Sequence, residues 1–178
     1  MTKEEICTSL IREHRAFAAY TSSLDDRQFL FAPPGKWTAG QQLDHIIRSV
    51  SAVRQALTIP KFILSLIFPK ANRPSKDYEG LVEKYKSKLK SGGRAAGRFI
   101  PKKLEPRDKK PAVEKLNNQI QKLCGLLNRY SEDQLNTFVL PHPLLGKLTL
   151  REMLYFTIYH VQHHHKLVMT AMSAMGDE

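Results

Sequence analysis

Four of the chain's seven histidines fall within ten residues, in the segment YHVQHHHKLV at residues 159–168. These four are His160, His163, His164 and His165. Two neutral imidazoles four residues apart on one face of a helix can bind a single metal ion, as in zincin-type helices. His160 and His164 have this spacing. The alternative is that buried histidines form hydrogen bonds across a helical core.

The apolar residues around these histidines recur with helical spacing, so a helical wheel shows which imidazoles point inward. At about 100° per residue from Leu150, His160 falls at about 280° and His164 at about 320°, inside the apolar arc. His163 and His165 fall at its two edges and are expected to be boundary residues or hydrogen-bond donors to a ligand. The polar residues of this helix are predicted to face solvent: Arg151, Glu152, Tyr155, Tyr159, Gln162 and Lys166.

A third ligand must come from another helix, and His45 is the best candidate. It lies on a predicted helix, on a flank of small residues (Ser49, Ala52 and Ala56) that lets a neighbouring helix approach closely. His14 is expected to be a core or boundary histidine. His142 lies between two prolines and is expected to be a turn residue in a loop.

Four long amphipathic helices are predicted to position these side chains. Three begin with a capping box or a similar start signal, formed by Thr2 with Glu5, Thr38 with Gln41, and Thr149 with Glu152. The remaining helix begins near residue 112, and the last is predicted to end near residue 174. Strand-type alternation is not evident. The sequence therefore predicts an all-α, antiparallel four-helix bundle, with residues 1–178 in one domain.

A long crossover joins the second and third of these helices. It begins with the apolar run FILSLIF, continues through an extra helix near residues 78–89, and ends in a Pro-interrupted stretch expected to be a mobile or surface-draped loop. Residues 70–115 hold 15 Lys/Arg and 6 Asp/Glu, whereas the rest of the chain holds 13 and 11. The net charge of +11 is therefore concentrated in this region, with residues 70–111 as a basic loop insertion.

Composition also limits the partners. The few aromatic residues of the basic region resemble no base-stacking module, so nucleic acid is not the expected partner. FILSLIF is too short to span a bilayer. It is either a lid over the predicted metal site or a surface for a second copy, and we expect a homodimer. The charged N-terminus and two widely spaced cysteines predict a cytoplasmic protein without a disulfide framework.

Two segments carry a resemblance to a known family. WTAGQQLDH at residues 37–45 and GKLTLREMLYFTIYHVQHH at residues 146–164 resemble the DinB/YfiT-like superfamily of metal-binding four-helix bundles. The resemblance covers nearly the whole chain and implies that His45, His160 and His164 bind a divalent metal, zinc or nickel. The basic crossover departs from the compact family pattern.

The resemblance implies a metal-dependent enzyme, either a hydrolase or a low-molecular-weight-thiol S-transferase. Three imidazoles leave a coordination position open for water or a thiolate, which is typical of catalytic sites. The expected substrate is a small molecule, anionic or a thiol, and no general base can be assigned. The alternatives are a non-catalytic bundle that binds a metal or small ligand, and an interaction protein that uses its basic crossover.

Overall fold

The computed structural model describes residues 1–68 and 70–176. The helices are α1 (Lys3–Ser23), α2 (Asp26–Leu30), α3 (Ala39–Thr58), α4 (Lys61–Ile67), α5 (Tyr78–Lys90), α6 (Lys109–Leu127), α7 (Glu132–Thr137) and α8 (Leu150–Gly176). Two short strands, β1 (Val139–His142) and β2 (Gly146–Thr149), form an antiparallel hairpin before α8.

The four long helices α1, α3, α6 and α8 form the four-helix bundle that the sequence predicts. α6 packs on α1 and α3 along one side, and α8 packs on the same two helices along the other. The three predicted capping boxes are present. In each, the backbone N–H of the N-cap threonine donates to the side chain of Glu5, Gln41 or Glu152, and the backbone N–H of that residue donates to the threonine hydroxyl oxygen. Each cap satisfies backbone N–H groups that a helix end leaves unpaired.

The core is built from the apolar faces predicted for these helices. Each of the four contributes fully buried residues, such as Leu10 on α1, Leu43 on α3, Leu123 on α6 and Val161 on α8. This shared apolar interior holds α3 and α8 side by side, and the predicted metal ligands lie on these two helices.

The hairpin was not predicted from the sequence. His142, expected in a loop, lies at the end of β1 opposite Gly146, which adopts φ 73° where the chain turns back. His142 Nδ1 accepts bonds of 3.1 Å from the backbone N–H groups of Leu144 and Leu145, which closes the turn. Strands of four residues, one containing Pro141, are too short to show clear alternation.

The first turns of α8 are also more buried than the helical wheel predicts. Glu152 is fully buried, and Arg151 and Tyr155 are nearly so, so the prediction that they face solvent is wrong. The Arg73 guanidinium bonds both Glu152 carboxylate oxygens, at 2.6 and 2.9 Å. Arg151 donates to the carbonyl oxygen of Met1 at 2.7 Å. Segments outside the bundle therefore cover this face.

The crossover contains the predicted extra helix as α5, which packs on α8. The stretch after α5 follows the surface of α3. Three bonds hold it there: His45 Nδ1–H donates to the carbonyl oxygen of Phe99 (2.7 Å), Arg48 to that of Arg98 (3.1 Å), and the Lys102 N–H to Asp44 Oδ2 (2.7 Å). The basic segment is thus bonded directly to a predicted metal ligand.

Most of the FILSLIF run forms the short helix α4, in which Leu64 is the buried residue; Phe68, just after the helix, also packs against the core. Phe62, Leu66 and Ile67 are 67%, 80% and 61% exposed. Within residues 1–68 and 70–176, no single helix is long and apolar enough to cross a bilayer. Only α3 and α4 taken together reach that length and apolarity, and they are bent by 103°.

Candidate metal centre

α3 and α8 bring His45, His160 and His164 together in the bundle interior. The His160 Nε2 atom lies 3.1 Å from His45 Nε2 and 3.0 Å from His164 Nε2. One ligand atom from each histidine lies within 4.8 Å of the other two, and each residue is only 5% exposed. His160 and His164 lie one turn apart on the same face of α8, so the pair can face the single residue His45 on α3.

Hydrogen bonds at the opposite ring atoms fix two of the three tautomers. His45 Nδ1 bonds the Phe99 carbonyl oxygen, which only accepts, so Nδ1 carries the proton. His164 Nδ1 bonds the side-chain oxygen of Gln42, a buried residue of α3, and is protonated for the same reason. Both Nε2 atoms therefore present lone pairs towards His160. Such bonds are the usual means by which proteins orient metal-binding imidazoles.

The two contacts of His160 Nε2 are compatible with ligand spacing around a tetrahedral divalent metal. With metal–nitrogen bonds of about 2.0–2.1 Å, ligand nitrogens in a tetrahedral site lie roughly 3.3 Å apart, close to the 3.0 and 3.1 Å found here. If His160 Nε2 carries a proton, it can donate that proton to only one of the two neighbouring Nε2 atoms. The other contact would then have no proton between its two nitrogen atoms, which would repel each other. A cation among the three nitrogens removes this repulsion.

The electrostatic surroundings keep all three imidazoles neutral, the form that binds metal. Burial lowers the pKa of each ring. The pKa values of His160 and His164 fall well below the ordinary histidine value, because neighbouring imidazoles add to the effect of burial. The cluster therefore does not need to lose protons near neutral pH before it binds a cation.

Aromatic side chains surround the three histidines. The Trp37 ring lies 5.1 Å from the His45 ring and is stacked at 12° to the His164 ring, 6.2 Å away. The Phe156 ring stacks on His160 at 4.6 Å, and the edge of the Tyr85 ring approaches His160 at 6.0 Å. These walls exclude water from most of the centre, which strengthens electrostatic interactions inside it.

Among the described residues, the other histidines do not join the cluster. His163 is partly buried with its ring against Tyr85, and His165 lies against Phe17 and Tyr20. His14 is a core residue: its Nδ1–H donates to the Leu10 carbonyl oxygen at 2.8 Å. Its Nε2 has no partner among the described residues.

Two partners of the ligands were missed by the sequence analysis. Gln42 lies three residues before His45 and so faces inward beside it, a signal that the sequence contains. The Phe99 carbonyl is a backbone group 54 residues from His45, and no sequence pattern identifies it.

The candidate centre offers three ligand atoms, one from each histidine. Within the described part of the chain, no thiol or carboxylate joins the three imidazoles. Asp44, the nearest acidic residue along the sequence, points outward and pairs with Arg48 at 2.5 Å. A three-nitrogen site with an open position is typical of catalytic rather than structural metal centres.

Comparison with known proteins places the chain in a family. The family model of the DinB superfamily matches residues 9–168, and the chain therefore belongs to this superfamily. A search of curated proteins returns no significant match.

A solved structure is similar over almost the whole chain. It is YfiT from Bacillus subtilis, described as "a probable metal-dependent hydrolase with an unusual four-helix bundle topology". The two are 20% identical, with a TM-score of 0.66 over 98% of this chain and 87% of the other. At this identity the similarity shows the fold alone.

Proposed function

We propose that this protein is a metal-dependent enzyme that holds a divalent ion, zinc or nickel, through His45, His160 and His164. The observation that carries the proposal is the convergence of the Nε2 atoms of three buried imidazoles, with His160 Nε2 about 3 Å from each of the other two. Nitrogen ligands alone do not choose between zinc and nickel. We also propose that residues 1–178 act as one domain, with residues 70–111 as its basic insertion.

A divalent ion held there would supply a Lewis acid with an open position, able to activate water for hydrolysis or a thiol for S-transfer. The chain's own residues prepare the site: Gln42 and the Phe99 carbonyl orient two ligands, and Trp37 and Phe156 limit the access of water. Hydrolysis is the first candidate, because the similar structure YfiT is described as a metal-dependent hydrolase.

The substrate that we propose is a small anionic molecule. The Phe99 carbonyl bonds His45 from within the basic segment, so Arg98 and Lys102, both exposed, lie close in sequence to a ligand contact. Such charges attract an anion and speed its encounter with the site. A carboxylate-bearing thiol would satisfy both this charge and the open position, which makes thiol S-transfer the second candidate.

The test is a screen of the purified protein, loaded with zinc or with nickel, against small anionic esters and amides and against thiol-transfer reactions. Metal-dependent turnover that is lost in His160→Ala supports an enzyme. Stoichiometric metal binding without any turnover would instead support a non-catalytic bundle that binds a metal or small ligand. Salt-sensitive binding to nucleic acid that survives chelation would instead favour the interaction protein.

The role of the basic segment is tested by neutralising four of its exposed cations together: Arg94, Arg98, Lys102 and Lys103. Salt screens such charges over about 8 Å at physiological ionic strength, so we expect kcat/KM to fall at low salt and to approach the wild-type value at high salt. A control variant loses the same net charge elsewhere, at Arg12, Arg15, Lys122 and Arg129. Equal effects of the two variants would contradict capture by the crossover.

A further inference from the structure

The chain's two cysteines are 117 residues apart in sequence, yet they meet where the first turns of α1 pack on the last turns of α6. The Cys7 Sγ atom lies 4.0 Å from the Cys124 carbonyl oxygen, and the Cys124 Sγ atom lies 3.8 Å from the Cys7 carbonyl oxygen. Each thiol therefore lies over the backbone of the other residue. Both cysteines are free and partly buried.

This reciprocal contact favours a disulfide between the two cysteines. A disulfide forms when two Cα atoms lie within about 7 Å and both Cβ–Sγ bonds are directed into the space between them. Here each Sγ atom contacts the backbone of the other cysteine, and the two helices already pack on each other. From this arrangement we expect rotation about χ1 to bring the two sulfur atoms towards bonding distance. We propose that Cys7 and Cys124 are a modification site, a reversible disulfide that links α1 to α6.

The oxidant that we propose is a low-molecular-weight disulfide, written RSSR. One cysteine thiolate attacks RSSR, forms a mixed disulfide and releases RS⁻. The second thiolate then attacks the protein sulfur of that mixed disulfide and expels another RS⁻. The two thiol protons end on the two leaving groups, so the balanced reaction converts one dithiol and one RSSR into one protein disulfide and two RSH.

The surroundings of the thiols indicate which acts first and how fast. Burial raises the pKa of both, that of Cys124 to about 12. Cys7 is therefore the first nucleophile, and the reaction is slow at neutral pH because the thiolate is the reactive form. These properties describe a slowly formed link that stabilises the fold rather than a rapid redox sensor.

The disulfide is independent of the proposed metal centre. The proposed metal ligands lie on α3 and α8. The cysteines lie on the other two long helices, Cys7 near the N-terminal end of α1 and Cys124 near the C-terminal end of α6. The bond should stabilise the folded state, because it closes a loop of more than 100 residues and so restricts the conformations of the unfolded chain. For a chain of this size we expect Tm to rise by roughly 5–15 °C.

The experiment uses the full chain, incubated with excess oxidised glutathione at pH 8.5. We expect the intact mass to fall by two hydrogen atoms, no thiol to react after denaturation, and a peptide map to show a Cys7–Cys124 link. Tm should rise and should return to its initial value on reduction. Metal content should not change, which separates this proposal from the proposed enzymatic function.

Two variants serve as controls. Cys7→Ser and Cys124→Ser should keep their helical circular dichroism, because serine is nearly isosteric, and neither should gain Tm on oxidation. Two thiols that remain titratable after prolonged oxidation, stable glutathione adducts on both cysteines, or a disulfide between two chains would each overturn the proposal. A link that forms but lowers Tm would also overturn it, since the native geometry would then be strained.

Discussion

Gln42 provides a sharp test of how the centre is built. Its buried side-chain oxygen accepts the Nδ1–H of His164, and the substitution Gln42→Leu removes that acceptor while keeping a similar volume. The His164 ring then loses the contact that holds Nδ1 protonated and Nε2 directed at the centre. Loss of such a bond weakens metal binding about 10–100-fold, which corresponds to roughly 1.4–2.7 kcal/mol.

The assay uses Trp37, the only tryptophan of the chain. Its ring lies 5.1 Å from His45, so a bound paramagnetic ion such as Ni²⁺ should quench its fluorescence. Titration in competition with a chelator of known affinity gives the metal Kd. The matched control is Gln55→Leu, the same change at an exposed position of the same helix.

The variant Gln42→Glu separates hydrogen bonding from packing. A carboxylate accepts the Nδ1–H bond at least as well as an amide, so this variant should keep the wild-type Kd or bind more tightly. The reasoning is refuted if Gln42→Leu binds metal as tightly as the wild type. It is also refuted if Gln42→Glu loses as much affinity as Gln42→Leu.

Three further predictions concern the fold. Chelation should leave the helical circular dichroism largely intact, because the four apolar helix faces form a core without metal; wholesale unfolding would reject this. Burial lowers the pKa of His14 from 6.5 to about 4. Between these pH values the unfolded chain binds a proton at this position that the folded chain does not, so roughly 3 kcal/mol of stability is lost as pH falls from 6.5 to 4. In denaturant titrations, His14→Leu should reduce the dependence of the free energy of unfolding on pH, and an unchanged dependence would contradict the prediction. The exposed Phe62, Leu66 and Ile67 of α4 should support a homodimer in light scattering, reduced by Leu66→Lys; a wild-type monomer at micromolar concentration would remove the dimer.

The long helices could be predicted because local signals and the core agree. Capping boxes at Thr2, Thr38 and Thr149 mark three helix starts, and apolar residues at helical spacing mark the faces that pack. The same spacing selected His160 and His164 as the inward pair of α8, and the structure places them beside His45. The sequence could therefore identify the cluster, because periodicity determines direction along a single helix.

Features that depend on non-local contacts could not be predicted. The helical wheel assigned Glu152 to solvent because it reports only one helix, whereas Arg73 and the Lys76 N–H reach Glu152 from the crossover. These bonds and that of the Thr149 N–H outweigh burial and lower the pKa of the carboxyl group. The meeting of Cys7 with Cys124 likewise depends on how two helices pack.

The most direct test of the central claim is the metal content of purified protein by elemental analysis, compared among the wild type and four single alanine variants. We predict roughly one zinc or nickel ion per chain in the wild type. His45→Ala, His160→Ala and His164→Ala should lose it, whereas His163→Ala should keep it, because the His163 ring lies outside the cluster. A wild type that binds no divalent metal, or a His163→Ala variant that is empty while His164→Ala is full, would contradict the account.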